Sequence, residues 1–337
     1  MTFEGDATGL AVAAALFASP ARERRVLVDG YTRVNINDRN LATARSRRDA
    51  GLQAEVRETA AMFRDLVAAG VPVRVTNPVS PSGLNYPCRN HKKLILADDV
   101  AYVGGVNFSD HNFDWPDMML RIDDRTAVDF LAGDFDGTWC GASKSTSVDL
   151  GEIVLIALDG RNNALGFAKV FQCIDAAKQE IVVASPYLTA PFVDLLGRAA
   201  RRGVAVRLLT PWANNKPIVR EALLWSAARH GFEIVLGPVM SHLKGMLVDG
   251  RHLIVGSSNF DFASLAAEEE FLAIVDYPSI VDDFRTRVIA PAIAAAIEHP
   301  AGIGRPRGRA ADLALRFAAL AASAARGFRR SAVDWPG

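Results

Sequence analysis

Cysteine is scarce in this chain: Cys88, Cys140 and Cys173 are the only three in 337 residues. An odd count without metal-ligand spacing argues against a disulfide framework and reads as free thiols of a reducing compartment. Long apolar runs are missing too. None reaches the roughly eighteen residues that a membrane-spanning helix needs. Leu10–Ser19 is apolar but follows Glu4 and Asp6 without a basic leader, which argues against a signal peptide. Net charge is also absent, with 38 basic and 38 acidic residues, so there is no global basic signal for nucleic acid. The balance is uneven along the chain. Residues 301–337 hold seven arginines against Asp312 and Asp334, a net of +5, which leaves −5 on the rest.

What the chain does have is one motif written twice. The first copy runs His91-Lys92-Lys93, four residues, Asp98, then Gly104-Gly105-Val106-Asn107. The second runs His242-Leu243-Lys244, four residues, Asp249, then Gly256-Ser257-Ser258-Asn259. In an extended strand His and Lys two apart share a face, while Lys92 or Leu243 points the other way. A turn at Asp98-Asp99 or Asp249-Gly250 makes each copy a β-hairpin whose return strand ends at glycine, where backbone can approach a ligand. Five residues separate Asp98 from the glycines and six separate Asp249 from Gly256, which calls for a tighter first turn. Two imidazoles, two ammoniums and two carboxamides can flank one phosphorus and hold its oxygens. That inventory suits phosphoryl transfer with no cofactor and no metal.

The elements before each motif repeat in the same order, the mark of an internal duplication. The first half reads as strand Arg25–Asp29, helix 49–69 ended by Gly70, and strand 71–76. The second half reads as strand 204–209, helix 218–229 ended by Gly231, and strand 232–236. Alternating strands and helices predict an α/β sandwich. Gly141–Ser147 is the linker candidate, which divides the chain into 1–145, 146–300 and a 301–337 appendage. The stretch 302–308, rich in Gly, Pro and Arg, is expected to set that appendage apart.

Each imidazole also needs a carboxylate to fix its tautomer and stabilise the imidazolium. Asp117 lies 26 residues after His91 and Glu270 lies 28 after His242, each entering the next strand. Glu268 and Glu269 are alternatives, Glu268 on the same strand face as Glu270.

The duplicated HxKxxxxD…GG/GSxN pattern resembles the phospholipase D superfamily and its paired HKD motifs. Further pieces resemble the bacterial cardiolipin synthase-like branch: Arg89-Asn90-His91-Lys92-Lys93, Trp115-Pro116-Asp117 with Arg121-Ile122, Ser185-Pro186-Tyr187-Leu188, and Arg202–Arg207. The resemblance implies two α-β-α sandwich lobes related by a pseudo-twofold axis, with one active site between them. It implies a phosphohistidine mechanism with His91 as nucleophile and His242 as acid and base. Lys93, Lys244, Asn107 and Asn259 would then hold the non-bridging oxygens. Asp117 and Glu270 would orient the imidazoles, and Asp98 and Asp249 would be structural. Gly105 and Ser257 would offer backbone or hydroxyl to the phosphate pocket. The implied substrate is a glycerophospholipid with an alcohol or water as acceptor. The alternatives are a nuclease of the same superfamily, disfavoured by the acidic body, and a non-catalytic membrane-binding protein. Thr2–Asp6 resembles the end of the family's first strand, so an edge strand and helix are expected to be missing.

The implied setting is cytoplasmic, peripheral at the inner face of the membrane, with contact through 312–330. There Leu313, Phe317, Leu320, Ala324 and Phe328 form an apolar face flanked by Arg316, Arg326, Arg329 and Arg330. Folding back onto the body is the equal alternative. His230, His252 and His299 are expected to be solvated, His111 to sit at a surface or pocket rim, and Cys88 to be a buried structural thiol. Trp115, Tyr187 and Trp212 either border a lipid cleft or simply pack.

Overall fold

The computed structural model describes residues 2–298 and 305–335. His299 and the start of the 302–308 stretch lie outside them. The first lobe carries helix α1 (Ala7–Ala18), strand β1 (Val26–Asp29), helix α2 (Ala50–Ala68) and strand β2 (Val73–Thr76). Asp49 caps α2 by accepting from Leu52 N, and Gly70 just beyond it takes a positive φ of 77°. The first motif follows as β3 (Arg89–Asn90), β4 (Leu94–Ala97) and β5 (Val100–Gly104), then β6 (Met119–Ile122) and helix α3 (Arg125–Trp139).

The second lobe repeats the scheme around a larger sheet. Its strands are β7 (Thr146–Asp149), β8 (Ile153–Asp159), β9 (Glu180–Ala184), β10 (Ala205–Pro211), β11 (Glu233–Gly237), β12 (Gly245–Val248), β13 (His252–Gly256) and β14 (Glu268–Val275). They lie in the order β11-β10-β9-β12-β13-β14-β8-β7, with β3 pairing in parallel with the start of β14. The helices are α4 (Ala168–Ala176), α5 (Phe192–Arg201) and α6 (Pro217–His230).

The two motif hairpins differ as their spacing requires. Ala97 pairs with Val100 across a two-residue turn, whereas Val248 pairs with His252 across three. Asp98 and Asp249 both take positive φ, near 50°. Asp249 also accepts from the backbone amides of Lys178, Gln179 and Glu180, tying the turn to the start of β9. Asp98 is exposed.

In the second lobe β9 sits between β10 and β12. In the first lobe β1 and β4, the counterparts of β10 and β12, belong to separate sheets among the described residues.

Both faces of the large sheet are covered, so β14 is buried along its whole length, its three leading glutamates followed by the apolar run Phe271–Val275. Leu272 and Ile274 join Phe167, Phe192 and Leu196 in the core under α4–α6. Phe271, Ala273 and Val275 face the other way, onto Val103, Ile122, Val128 and Leu131 of the first lobe. The lobes therefore share a hydrophobic core rather than touching at a polar seam. The 141–147 segment is correspondingly tied down. Ser143 Oγ donates to Glu269, Ser145 Oγ donates to Asp159, and β7 begins at Thr146.

The C-terminal segment corrects two expectations. Helix α7 (Arg305–Ala325) already includes most of the stretch expected to separate the appendage, and it packs on α6. Its small residues face the body: Ala311 and Ala322 are buried, and Ala325 packs on Cys88 and Ala267. A Cβ at Gly308 would overlap the Trp225 side chain and the Glu221 carbonyl. Close approach of two helices favours the small face, so Leu313, Phe317, Leu320 and Phe328 stay 47%, 71%, 68% and 53% exposed. Arg316 makes a bidentate pair with Asp194, and Arg329 is buried against Glu269 and the Asn77 carboxamide. Beyond the helix, β15 (Val333–Asp334) pairs antiparallel to β2, and Trp335 packs on Phe63 with ring centroids 4.4 Å apart. The C-terminal segment thus clasps both lobes.

Candidate active site

Strand geometry delivers the motif residues as pairs. Lys92 turns away from the cleft into a buried ion pair with Asp134, 2.7 Å away. Leu243 likewise turns to the interlobe core. His91 and His242 line one cavity of about 580 Å³, together with Asn107 and Asn259. Lys93 and Lys244 are fully buried just behind, each ammonium donating to the carbonyl of its own motif histidine.

The carboxylates are exchanged between the copies. His91 Nδ1 lies 3.1 Å from Glu270 Oε1, and His242 Nδ1 lies 2.7 Å from Asp117 Oδ2. The backbone repeats the exchange. His91 N donates to Glu269 O and His242 N donates to Pro116 O, both at 2.9 Å. Each histidine is therefore oriented by the residue pair that follows the other motif, and each Nε2 is left for the cavity.

Gly105 and Ser257 occupy equivalent places but serve these carboxylates. A Cβ at Gly105 would overlap the Asp117 carboxylate. Ser257 Oγ donates to Glu270, as does Ser264 Oγ at 2.7 Å. The Ser257 hydroxyl is thus engaged by Glu270 rather than facing a phosphate pocket. Sequence reasoning missed Ser264, a lone hydroxyl in an apolar helix with no spacing to betray it.

The electrostatics are set by burial. Burial first, then Lys93, Lys244 and Arg89, hold His91 well below the ordinary imidazole range. Burial and Lys244 lower His242 to about 4 against the opposing pull of Asp117. Burial lowers Lys93 to about 7 and Lys244 to about 8, with Glu270 and Asp117 respectively opposing it. The two carboxylates part company. Burial would raise Asp117, but Lys244, His242 and the Met118 amide keep it below the ordinary range. Burial raises Glu270 despite Lys93 and the two serine hydroxyls. Both imidazoles are thus biased toward their neutral forms, and a phosphodiester anion would favour protonation at His242, whose partner Asp117 stays ionised.

Asn107 accepts from Thr2 N at 3.1 Å, while Asn259 Oδ1 has no partner among the described residues. An unpartnered buried amide oxygen on the cavity wall is free to bind something there. Glu268 Oε2 is also unpartnered, 4.0 Å from His91 Nδ1, and burial with Asp261 and Glu270 raises its carboxyl well above the usual range. It lines the cavity, where burial favours its protonated form.

The aromatics divide. Trp115 and Tyr187 rings both lie 6.1 Å from the His242 ring, whereas Trp212 packs under Arg220. His111 lines the cavity and contacts Asn112. His252 is paired with Asp276 at 2.7 Å, and His230 is half-buried on Phe232, so neither is simply solvated. Cys88 is fully buried, its thiol donating to Ala325 O.

Among the described residues, two groups bring three candidate ligand atoms within 4.8 Å of one another: His91, Glu268 and Glu270, and Glu4, Asp6 and Glu55. Neither fits a cation well. Glu270 already accepts from His91, Ser257 and Ser264. Burial pushes Glu4 up to about 8, and Asp6 caps α1.

Two like lobes, paired HxK hairpins and exchanged carboxylates define a phospholipase D-type α/β fold. The family model described as "Cardiolipin synthase, PLD-like domain" matches residues 17–139 and 170–289. The chain belongs to that family. It is 28% identical over 261 residues to minor cardiolipin synthase ClsB of Bacillus subtilis (strain 168), covering 67% of this chain and 62% of that one. It is 26% identical over 306 residues to cardiolipin synthase B of Escherichia coli (strain K12), covering 81% and 68%. The chain thus spans less than two thirds of the Bacillus protein's length. Phosphatidylserine synthase of Haemophilus influenzae Rd KW20 shares the fold, with a TM-score of 0.64 at 13% identity over 96% of this chain and 87% of that one. No described helix is long and apolar enough to cross a membrane.

Proposed function

We propose that the chain is a cardiolipin synthase-like phosphatidyltransferase or phosphodiesterase acting on glycerophospholipids through a phosphohistidine. The observation that carries this reading is the pair of imidazoles on one cavity, each with Nδ1 held by a buried carboxylate. His91 Nε2 attacks phosphorus, forming P–N as the P–O bond to the leaving alcohol breaks. The alcohol oxygen takes the proton from His242 Nε2. Acceptor hydroxyl or water then gives a proton to His242 and attacks phosphorus, returning the electron pair of P–N to His91.

The unequal carboxylates support this division of labour. Asp117, held ionised, stabilises an imidazolium at His242, as an acid–base residue needs. Lys93, Lys244, Asn107 and Asn259 oppose the negative charge that grows on the non-bridging oxygens. Asp98 and Asp249 shape the turns, and Gly105 and Ser257 set the two carboxylates. The protein sits peripherally at the inner face of the membrane, its C-terminal helix turned to lipid.

The test is incubation with phosphatidylglycerol, phosphatidylethanolamine and single-stranded DNA, with products resolved by mass. Lipid transfer or hydrolysis is expected; cleavage of DNA with every lipid untouched overturns the reading. A phosphodiester with a p-nitrophenol leaving group separates the two histidines, since that group departs without protonation. His242→Ala is expected to trap an adduct on His91, and His91→Ala to form none.

A further inference from the structure

The substrate cavity has two unlike walls. Glu4, Asp38, Asn107, His111 and Asn112 line one side, whereas Ile218, Val219, Leu315, Ala318, Ala321 and Ala322 line another. Four of the six apolar residues belong to α7. On a helix Leu313, Phe317 and Leu320 share one face, and Ala318 and Ala321 lie on the adjoining arc. The outward ridge is exposed, as are Ala318 and Ala321, so one continuous apolar surface runs from solvent around the helix into the cavity. Three large apolar side chains side by side in water, next to an open cavity, mark a surface with an apolar partner.

Charge says which partner. Arg307 and Arg309 are exposed in the first turns of α7, and Arg326 and Arg330 beyond its end, whereas Arg316 and Arg329 are occupied by Asp194 and Glu269. Lys216 is exposed and lines the cavity on the same side as Ile218. A cationic fringe beside an apolar ridge fits an anionic lipid surface.

We propose that α7 is the acyl-chain passage of the site. The fatty chains of a bound diacyl phospholipid run from the histidines along Leu315, Ala318, Ala321 and Ala322. They leave over Phe317 and Leu320 into the bilayer. Alanine at 318, 321 and 322 keeps the passage wide enough for hydrocarbon, and the clasp of Arg316 and Arg329 keeps the helix in place. This rests on the phospholipid reading above and adds the route by which lipid reaches the centre.

The full chain is incubated with vesicles of phosphatidylglycerol carrying a diazirine in one acyl chain, irradiated, and mapped by peptide mass. Adducts are expected within residues 313–322, and unlabelled phosphatidylglycerol is expected to suppress them. Adducts confined to other elements overturn the proposal. In a second arm, Ala318→Trp is expected to slow vesicle phosphatidylglycerol at least about tenfold more than bis(p-nitrophenyl) phosphate, whose small body needs no passage. Equal losses on both substrates overturn it. If phosphatidylglycerol is not turned over at all while the aryl diester is, the phospholipid reading fails in that assay, and the cross-link map still decides whether acyl chains lie on α7.

Discussion

His242 Nδ1 lies 2.7 Å from Asp117 Oδ2, a carboxylate that follows the other motif by chain order. The reciprocal pair, His91 with Glu270, spans 179 residues. Neither histidine is oriented within its own copy, so neither lobe alone holds a complete imidazole–carboxylate pair.

Asp117→Asn keeps the shape of its site but removes the charge that stabilises protonated His242. Turnover of phospholipid should fall by roughly 10²–10⁴. Turnover of a diester with a p-nitrophenol leaving group should lose much less in the phosphohistidine-forming step. Stopped-flow release of p-nitrophenol checks this, and equal loss in both reactions refutes the assignment of Asp117 to His242.

Gly105→Ser installs in the first copy the residue that the second copy carries. The added Cβ would overlap the Asp117 carboxylate and push it off His242. A displacement of about 1 Å is expected to cost on the order of 10²-fold in kcat. Ser257→Gly, the reverse change, should cost less, because Ser264 still donates to Glu270. Steady-state kinetics of the two variants decides between them.

Lys244 is charged when unfolded below its ordinary 10.5, but burial lowers it to about 8 in the fold. With the folded pKa below the unfolded one, the unfolded chain binds the extra proton in that window, and stability rises as pH rises through it. Below about 8 the full burden is present, on the order of 3 kcal/mol at ~1.4 kcal/mol per unit. Lys244→Met should therefore abolish activity yet raise the unfolding temperature near pH 7, with the gain shrinking toward pH 10. Thermal unfolding across that range tests the sign.

Arg329 is 5% exposed in its side chain and pairs with equally buried Glu269. Removing one partner leaves a buried charge, so Arg329→Ala is expected to cost about 3–5 kcal/mol and to free the C-terminal clasp. Limited proteolysis should then release 305–335 early. Persistence of the intact chain under the same protease exposure speaks against the clasp.

Much of the local structure was legible in the sequence. The hairpins follow from short apolar runs on either side of an aspartate able to take positive φ, and the one-residue difference in their turns from counting. The two histidines, lysines and asparagines, and the need for carboxylates near 117 and 270, were equally visible. Which face of α7 turns outward was not. Periodicity left membrane contact and folding back as equal readings, and the close approach that Gly308 allows to α6 buries the small face instead.

Sequence alone determined which groups exist and how each strand presents them, because strand period and turn chemistry are local. Tertiary structure alone decided which carboxylate serves which imidazole, and that a helix beginning 46 residues beyond Asn259 walls the cavity. Those relations depend on how two similar lobes share one core, and no spacing along a chain encodes contacts between its halves.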